Sequence, residues 1–178
     1  LIESTDRITK KMRERGGGIS NIKLVNKSKE LKSYYQLHVD FNTIDSMGAN
    51  FINSCLEIIS KNFKELLNDS SKFKESEKRI EIIMSILSNY TPECIVESSV
   101  ECKIEDLSDI DGITAKEFAL KFKNAFDIAN IDISRAVTHN KGIMNGIDAV
   151  LISTGNDFRA VEAGIHAFAS SKGKYKSL

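Results

Sequence analysis

The stretch Thr138-His139-Asn140-Lys141-Gly142-Ile143-Met144-Asn145-Gly146-Ile147-Asp148 decides how the second half of this chain folds. At 3.6 residues per turn it predicts a helix that presents Lys141, Asn145 and Asp148 on one face. The buried stripe expected on this helix consists of Ile143, Ile147, Val150 and Leu151. An ammonium, an amide and a carboxylate would then share one helix face, where they could take part in chemistry.

A second helix is expected to begin directly after Gly155, at Asn156 or Asp157. Asp157 would lie at the helix start, where a carboxylate can accept a hydrogen bond from a free backbone N–H group. The residues expected to face inward are Phe158, Val161, Ile165 and Phe168. The small residues Ala160, Gly164 and Ala167 would permit close packing against another helix.

The composition excludes several classes of protein. The chain has 178 residues, with 25 Lys and Arg against 25 Asp and Glu, so no overall positive field favours nucleic acid. No apolar run approaches the roughly 18 residues of a membrane helix, and no signal peptide is recognisable, so we expect a soluble cytoplasmic protein. Cys55, Cys94 and Cys102 lack the spacing of a zinc site and lie in apolar patterns. We expect three buried thiols and no metal.

The N-terminal half predicts a helix, a β-hairpin and a second helix. A helix over Leu1–Arg15 would end at Gly16-Gly17-Gly18, which serve either as a plain turn or as a phosphate contact. Ile22–Asn26 and Tyr34–Asn42 alternate as an antiparallel pair. A helix from Met47 to about Leu67 would follow, capped by Asp45 or Ser46. Its small first residues fit either a capped turn or a phosphate site at the positive end of the helix dipole.

The segment after this helix predicts two further extended elements and another helix. Alternation over Ile80–Ile86 predicts a third strand, and Cys94–Ile104 predicts a fourth extended element, with a domain boundary near Pro92 between them. Thr114-Ala115-Lys116-Glu117 predicts a capping box. The helix that it opens is expected to bury Phe118, Phe122, Ala125, Phe126 and Ala129. The fold class predicted from these elements is α+β.

Two blocks of the sequence carry a resemblance to a known family. Thr138–Asp148 and Gly155–Gly164 resemble the signature blocks of 3-hydroxy-3-methylglutaryl-coenzyme A (HMG-CoA) reductase, and Phe158–Gly164 resembles its bacterial and archaeal class II branch. Asp45–Asn50 resembles the block of that family's nucleotide-binding domain. The resemblance implies a small antiparallel-sheet and helix domain that binds NAD(P)H, over residues 1–89. Residues 90–178 would then be a helix-rich part of the large HMG-CoA-binding domain.

The same resemblance implies a role for individual residues. Lys141 matches the catalytic lysine, whose ammonium would stabilise a developing oxyanion. Asp157 matches the catalytic aspartate that holds this lysine, and Asn145 matches the asparagine that orients the pair. The implied substrate-binding residues are Arg135 and Thr138. The implied cofactor-binding residues are Met47, Gly48, Ala49, Asn50 and Asn89.

The implied reaction is the four-electron reduction of HMG-CoA to mevalonate and CoA, a step of isoprenoid biosynthesis, in a homodimer or higher homo-oligomer with no membrane or nucleic-acid partner. NADPH is expected over NADH, because the position where some relatives carry an acid is near Thr9, which is flanked by Lys10 and Lys11. Asp6 could shift into that position and favour NADH instead.

Two groups that the resemblance implies lie outside this sequence: a catalytic glutamate ahead of Leu1 and a proton-donating histidine after Leu178. We therefore expect the middle of a longer reductase, and we expect the 178 residues alone to be inactive. The alternative from another class is a non-catalytic module that binds a nucleotide or a CoA ligand. A third interpretation, an unrelated α+β nucleotide-binding protein, would require both long blocks to match by accident.

Overall fold

The computed structural model describes residues 1–46, 48–107, 109 and 111–178. Within these ranges the chain divides into two units, Leu1–Leu87 and Ser88–Leu178. The first unit contains α1 (Asp6–Glu14), β1 (Gly18–Asn26), β2 (Tyr35–Asn42) and α2 (Ala49–Asp69). The second contains α3 (Ala115–Ile131), α4 (Ile133–Ser153) and α5 (Phe158–Ser170). Short 3-10 turns lie at Glu3–Thr5 and Ile104–Asp106. The predicted α+β class is confirmed.

The glycine run ends α1 and opens the hairpin, as predicted. The Gly17 amide donates to the Met12 carbonyl at 3.0 Å and the Gly16 amide to Arg13 at 2.9 Å, which is the bonding pattern of a Schellman cap. Gly16 has a φ of +90°, a conformation that glycine adopts without strain. Gly17 lies so close to the end of β2 that an added Cβ would stand 2.5 Å from the Asn42 carbonyl oxygen.

The two strands form the predicted antiparallel pair. Their register runs from Gly18 opposite Asn42 to Asn26 opposite Tyr35, with an irregularity between Ile19 and Asn21. β1 begins at Gly18 rather than at Ile22, because the residues after the turn also pair with β2. The hairpin and the flanking helices α1 and α2 therefore follow the predicted order.

The long helix α2 is confirmed, but its predicted side-chain cap is wrong. Gly48 occupies the N-cap position with a φ of +62° and provides no side-chain cap bond. Ser46 instead donates its hydroxyl to the Thr43 carbonyl at 2.8 Å. The buried face of α2 centres on Cys55 and Ile59. Within the described ranges, the first amides of α2 thus have no side-chain cap.

Neither of the two further extended elements is a strand. In the described ranges β1 and β2 are the only strands, and 79–103 has no helix or strand. A strand requires a second strand to complete its hydrogen bonds, and the end of the Ile80–Ile86 run is bonded to α2 instead. The Leu87 amide donates to Asn53 Oδ1 at 2.9 Å, and the Ser85 and Ser60 hydroxyls are 2.7 Å apart.

The prediction of three buried thiols is right for one. Cys55 is buried, and burial raises the pKa of its thiol to about 11. Cys94 and Cys102 are exposed, because the segment that carries them packs in no sheet. The alternating pattern therefore showed which side chains are apolar, but it did not show whether another part of the chain would bury them.

In the second unit, most of the buried helix residues are alanines. The capping box of α3 is confirmed, with Thr114 Oγ1 accepting from the Glu117 amide and Glu117 Oε2 accepting from the Thr114 amide. The buried residues of the three helices are Ala129, Ala136, Asn140, Met144 and Ala169.

Several apolar residues that were expected to face inward are exposed. They are Phe122, Ala125, Val150, Phe158 and Phe168. The apolar stripe of each helix is wider than the contact that the helix makes within this unit, so residues at its margin remain in solvent. Phe126 does pack inward, with its ring edge-on to His139 at a centroid distance of 4.6 Å.

Gly17→Ala is expected to destabilise the fold by about 1–3 kcal/mol, because the added methyl group meets a backbone carbonyl that cannot rotate away. Gly146→Ala is the matched control, since nothing lies within 4 Å of its added Cβ. In a helix interior this change should stabilise by about 0.5–1 kcal/mol. Urea unfolding of both variants measures the difference, and equal stabilities would contradict the close approach at Gly17.

Candidate functional site

Helix α4 carries four of the residues that the sequence singled out. The helix begins after Asp132, whose carboxylate accepts a hydrogen bond from the Ser134 amide at 2.9 Å. The side chains of Arg135, Thr138, Lys141 and Asn145 are exposed along it. The predicted helix over Thr138–Asp148 is therefore confirmed, and its polar groups are available to a ligand.

These side chains differ in whether they are hydrogen-bonded within the protein. Thr138 donates its hydroxyl to the Ser134 carbonyl at 3.0 Å, so it is bonded within its own helix. In the part of the chain that the structure describes, the side chains of Lys141 and Asn145 form no hydrogen bond or ion pair. An exposed ammonium and an exposed amide without internal partners can both be directed at a ligand.

Asp157 lies at the start of α5, as predicted. Its Oδ1 accepts from the Ala160 amide at 3.2 Å and lies 3.8 Å from Arg159 Nε. Gly155, with a φ of +71°, turns the chain between α4 and α5. Lys141 and Asp157 thus belong to consecutive helices, but among the described residues no ion pair joins them.

Two carboxyl groups meet where α5 faces α4. Burial raises the pKa of Glu162 above its usual 4.5, and hydrogen bonding to Asp148 and the charge of Asp148 raise it further, while His166 acts in the opposite direction. Between two ionised carboxylates there is no donor, so this bond forms when one of them is protonated. Asp148 Oδ1 is buried and has no hydrogen-bond partner in the described ranges. The sequence placed Asp148 on the polar face of α4 but gave no indication of Glu162.

Asn140 is fully buried in α4 and was not predicted as a site residue. Its Nδ2 donates to the Tyr175 hydroxyl at 3.0 Å and to the Lys176 carbonyl at 2.9 Å, and its Oδ1 accepts from the Leu178 amide at 3.0 Å. The available signal was its spacing: Ala136, Asn140 and Met144 follow at intervals of four, so a polar residue occupies the buried stripe.

In the first unit, a cavity lies between α1 and the start of α2. Its volume is about 310 Å³. The lining residues are Ile8, Lys11, Met12, Arg15, Ser46, Gly48 and Phe51. Of the cofactor-binding residues implied by the resemblance, Gly48 lines this cavity and Ala49 and Asn50 begin α2. Met47 lies outside the described residues, and Asn89 belongs to the second unit, where its carbonyl is close to Gly164.

The two basic residues of the cavity are not neutralised. Arg13 pairs with Asp6 at 3.1 Å and Lys10 approaches Glu14 at 4.0 Å, whereas Lys11 and Arg15 have no acidic partner among the residues described. Thr9 is buried and donates its hydroxyl to the Thr5 carbonyl, so it does not reach the cavity. The positive charge beside the start of α2 therefore comes from Lys11 and Arg15.

Comparison with known proteins assigns the chain to a family. The model of the hydroxymethylglutaryl-coenzyme A reductase family matches residues 1–177. The chain belongs to the hydroxymethylglutaryl-coenzyme A reductase family. This confirms the resemblance found in the sequence. None of the described helices is long and apolar enough to cross a membrane.

Among its relatives, a probable 3-hydroxy-3-methylglutaryl-coenzyme A reductase of Borreliella burgdorferi is 34% identical over 171 residues, covering 94% of this chain and 36% of that protein. The reductase of Archaeoglobus fulgidus is 33% identical over 142 residues, covering 80% of this chain and 28% of that protein. The chain therefore spans about a third of the length of these curated relatives.

Solved structures of the family have the same fold. A 3-hydroxy-3-methylglutaryl-coenzyme A reductase of Streptococcus pneumoniae superposes with a TM-score of 0.70 at 32% identity, covering 99% of this chain and 44% of that one. The class II reductase of Streptococcus pneumoniae bound to NADPH in open conformations gives a TM-score of 0.68 at 31% identity, covering 99% of this chain and 40% of that one.

Glu162→Gln is expected to stabilise the protein at neutral pH. The folded state holds the Glu162 proton more tightly than the unfolded state, so the wild type loses stability as pH rises above 4.5 through the higher folded pKa. Gln cannot ionise, so the Tm of the variant should exceed that of wild type at pH 7.5, and the difference should disappear towards pH 4.

Glu117→Gln is the control of opposite sign. Hydrogen bonds from the Thr114 backbone and side chain lower the pKa of Glu117, so its contribution to stability is present above 4.5 and is lost as pH falls through the folded pKa. This variant should melt below wild type at pH 7.5. A Glu162→Gln variant that also melts below wild type at pH 7.5 would contradict the carboxyl pair.

Proposed function

We propose that the protein containing this chain is an NAD(P)H-dependent HMG-CoA reductase, which reduces HMG-CoA to mevalonate and CoA in isoprenoid biosynthesis. The observation that supports this most is the placement of Lys141 and Asn145 on the exposed face of α4, with Asp157 capping the next helix. These residues lie within a chain that matches the family over residues 1–177.

The reaction needs charge stabilisation at oxygen. Two molecules of the reduced nicotinamide cofactor, bound one after the other, would each supply one hydride, and each addition would need one proton. The thioester would pass through a hemithioacetal and an aldehyde to an alcohol, with release of CoA thiol. Each hydride addition places negative charge on the carbonyl oxygen. The ammonium of Lys141 would stabilise that charge, and this stabilisation is largest where water is excluded from the site. Arg135 suits the free carboxylate of the hydroxymethylglutaryl group, since a guanidinium binds a carboxylate through two parallel hydrogen bonds.

Asp157 and Asn145 would act on the lysine. The carboxylate of Asp157 would form an ion pair with the Lys141 ammonium and hold it in place. Its hydrogen bond with the Ala160 amide fixes one oxygen, which leaves the other oxygen available for Lys141. Asn145 lies one turn after Lys141 and can orient the ammonium. Thr138 would contact the substrate after its hydroxyl leaves the Ser134 carbonyl.

The first unit would bind the cofactor through its phosphates. The uncapped amides at the start of α2 and the charges of Lys11 and Arg15 converge on one cavity, and both features attract anions. An additional phosphate on the ribose would gain from these charges, so NADPH is preferred over NADH. Asp6, the residue that could have favoured NADH, is paired with Arg13 and does not line the cavity.

The proposal includes the organisation that the resemblance implies. Residues 1–89 would be the small cofactor domain, with Met47, Gly48, Ala49, Asn50 and Asn89 contacting the cofactor. Residues 90–178 would be part of the large substrate domain. The protein would act in the cytoplasm as a homodimer or higher homo-oligomer. A non-catalytic module that binds a nucleotide or a CoA ligand is the alternative, but ligand binding alone does not require Lys141, Asn145 and Asp157 together.

Lys141→Ala is expected to lower kcat for HMG-CoA reduction by about 10²–10³-fold, because the oxyanion loses its charged donor. The assay is oxidation of NAD(P)H by the complete protein that carries this sequence. Lys121→Ala is the control, since Lys121 is an exposed lysine on α3 and should leave kcat unchanged. Full activity of the folded Lys141→Ala variant would exclude the proposed role, and an inactive wild type would favour the binding module.

Lys11→Ala and Arg15→Ala are each expected to raise the KM for NADPH by about tenfold, which corresponds to about 1.4 kcal/mol of lost binding free energy. The KM for NADH should change much less, because NADH lacks the additional phosphate. Lys10→Ala is the matched control, since Lys10 lies beside Glu14 and outside the cavity. An equal rise in KM for NADPH and NADH would show that Lys11 and Arg15 do not recognise the additional phosphate.

A further inference from the structure

The segment that follows α5 turns back across the second unit, and we refer to Lys174–Leu178 as the returning segment. In the described ranges it contains no helix or strand. Its amide at Lys176 donates to the Ala169 carbonyl in α5 at 3.0 Å. Its tyrosine, Tyr175, stacks on His166 of α5, with 2.9 Å between the hydroxyl and Nδ1. The returning segment is therefore attached to α5 at two places.

The attachment to α4 is the amide of Asn140. Three of the four hydrogen bonds that an asparagine amide can form go to the returning segment: two from Nδ2, to the Tyr175 hydroxyl and the Lys176 carbonyl, and one to Oδ1 from the Leu178 amide. Asn140 has 0% exposure, so water cannot replace these bonds. A buried amide that loses its partners has a large free-energy cost, which makes this attachment strong.

The Tyr175 hydroxyl links the two attachments. Since the hydroxyl oxygen accepts a hydrogen bond from Asn140 Nδ2, its own O–H can be donated to Nδ1 of His166. A continuous set of hydrogen bonds thus runs from α4 through the returning segment to α5. It is independent of the turn at Gly155, which joins the same two helices at their other ends.

The location of this link matters for the proposed reaction. Asn140 directly precedes Lys141 in α4, and α5 is the helix that Asp157 caps. Because Lys141 and Asp157 lie on separate helices, their separation depends on how α5 is held against α4. An error of about 1 Å in the placement of reacting groups can cost on the order of 100-fold in rate.

We propose that Asn140 is a positioning residue that holds α5 against α4 through the returning segment and so sets the geometry of Lys141 and Asp157. Its role rests on the proposed function, because only a reaction that uses both helices gives their geometry a catalytic consequence. Asn140 itself touches no substrate in this scheme. It acts by preventing α5 from moving relative to α4.

The test uses the complete protein with Asn140→Asp, Tyr175→Phe and the control Asn130→Asp. Aspartate keeps the acceptor for Leu178 but has no hydrogen for Tyr175 or Lys176. Tyr175→Phe removes the two hydrogen bonds of the Tyr175 hydroxyl, to Asn140 and His166, and leaves the bonds of Asn140 to Lys176 and Leu178. Asn130 is an exposed residue of α3 that donates to the Phe126 carbonyl of its own helix, so the control makes the same chemical change without this link.

Two measurements are made on each variant: hydrogen exchange of the returning segment and α5, and kcat with the KM of each substrate. For Asn140→Asp we expect amide exchange to accelerate by about tenfold or more, and kcat to fall by about 10- to 100-fold while each KM changes by less than about threefold. Tyr175→Phe should give smaller changes of the same sign. The control should match wild type in both measurements.

Faster exchange with unchanged kcat in folded Asn140→Asp would overturn the positioning role, since the link would then serve stability alone. Lower kcat without faster exchange would overturn it too. If Asn140→Asp does not fold, Tyr175→Phe decides by the same two readouts. A wild type that reduces no HMG-CoA would refute the proposed function, while the exchange results would still show whether Asn140 joins α4 to α5.

Discussion

Burial of the Asn140 amide is the constraint on which the second unit depends. A fully buried amide must be matched by donors and acceptors of the protein, because no water can reach it. The partners it has are a hydroxyl, a carbonyl and an amide of Lys174–Leu178. Three bonds to a segment without regular structure require that segment to adopt one path. The path of this segment is thus set by Asn140 of α4 together with the two attachments to α5.

The helices α3, α4 and α5 approach each other through small side chains. Ala129, Ala136 and Ala169 are buried, while larger apolar residues such as Phe122, Val150 and Phe168 are exposed. Close helix packing at alanines leaves little room for voids and fixes the relative placement of the helices. It also leaves the polar face of α4 uncovered, so Lys141 and Asn145 remain accessible.

In the first unit the corresponding constraint is the glycine turn. The Schellman cap ends α1 within one residue, and the close approach of Gly17 to Asn42 holds the hairpin against the helix end. This arrangement places the last turns of α1 beside the start of α2, where Gly48 forms the N-cap. The same cavity is then lined by the start of α2 and by two cationic side chains that have no acidic partner among the described residues. The charge of the cavity comes from Lys11 and Arg15, because the two acidic residues of α1 lie beside Lys10 and Arg13.

The sequence by itself determined the elements whose signals are local: the glycine end of α1, the hairpin, the length of α2, the capping box at Thr114 and the position of Asp157 at a helix start. Backbone conformation and hydrogen bonds within a few residues decide these features, so spacing and residue type suffice. The family could also be recognised from the sequence, because two long blocks of residues resemble it. Tertiary structure alone decided that 80–86 and 94–104 form no strands, because pairing needs a distant partner. It also decided the burial of Asn140 and the pairing of Asp148 with Glu162, since both depend on which residues from other parts of the chain surround a given helix face.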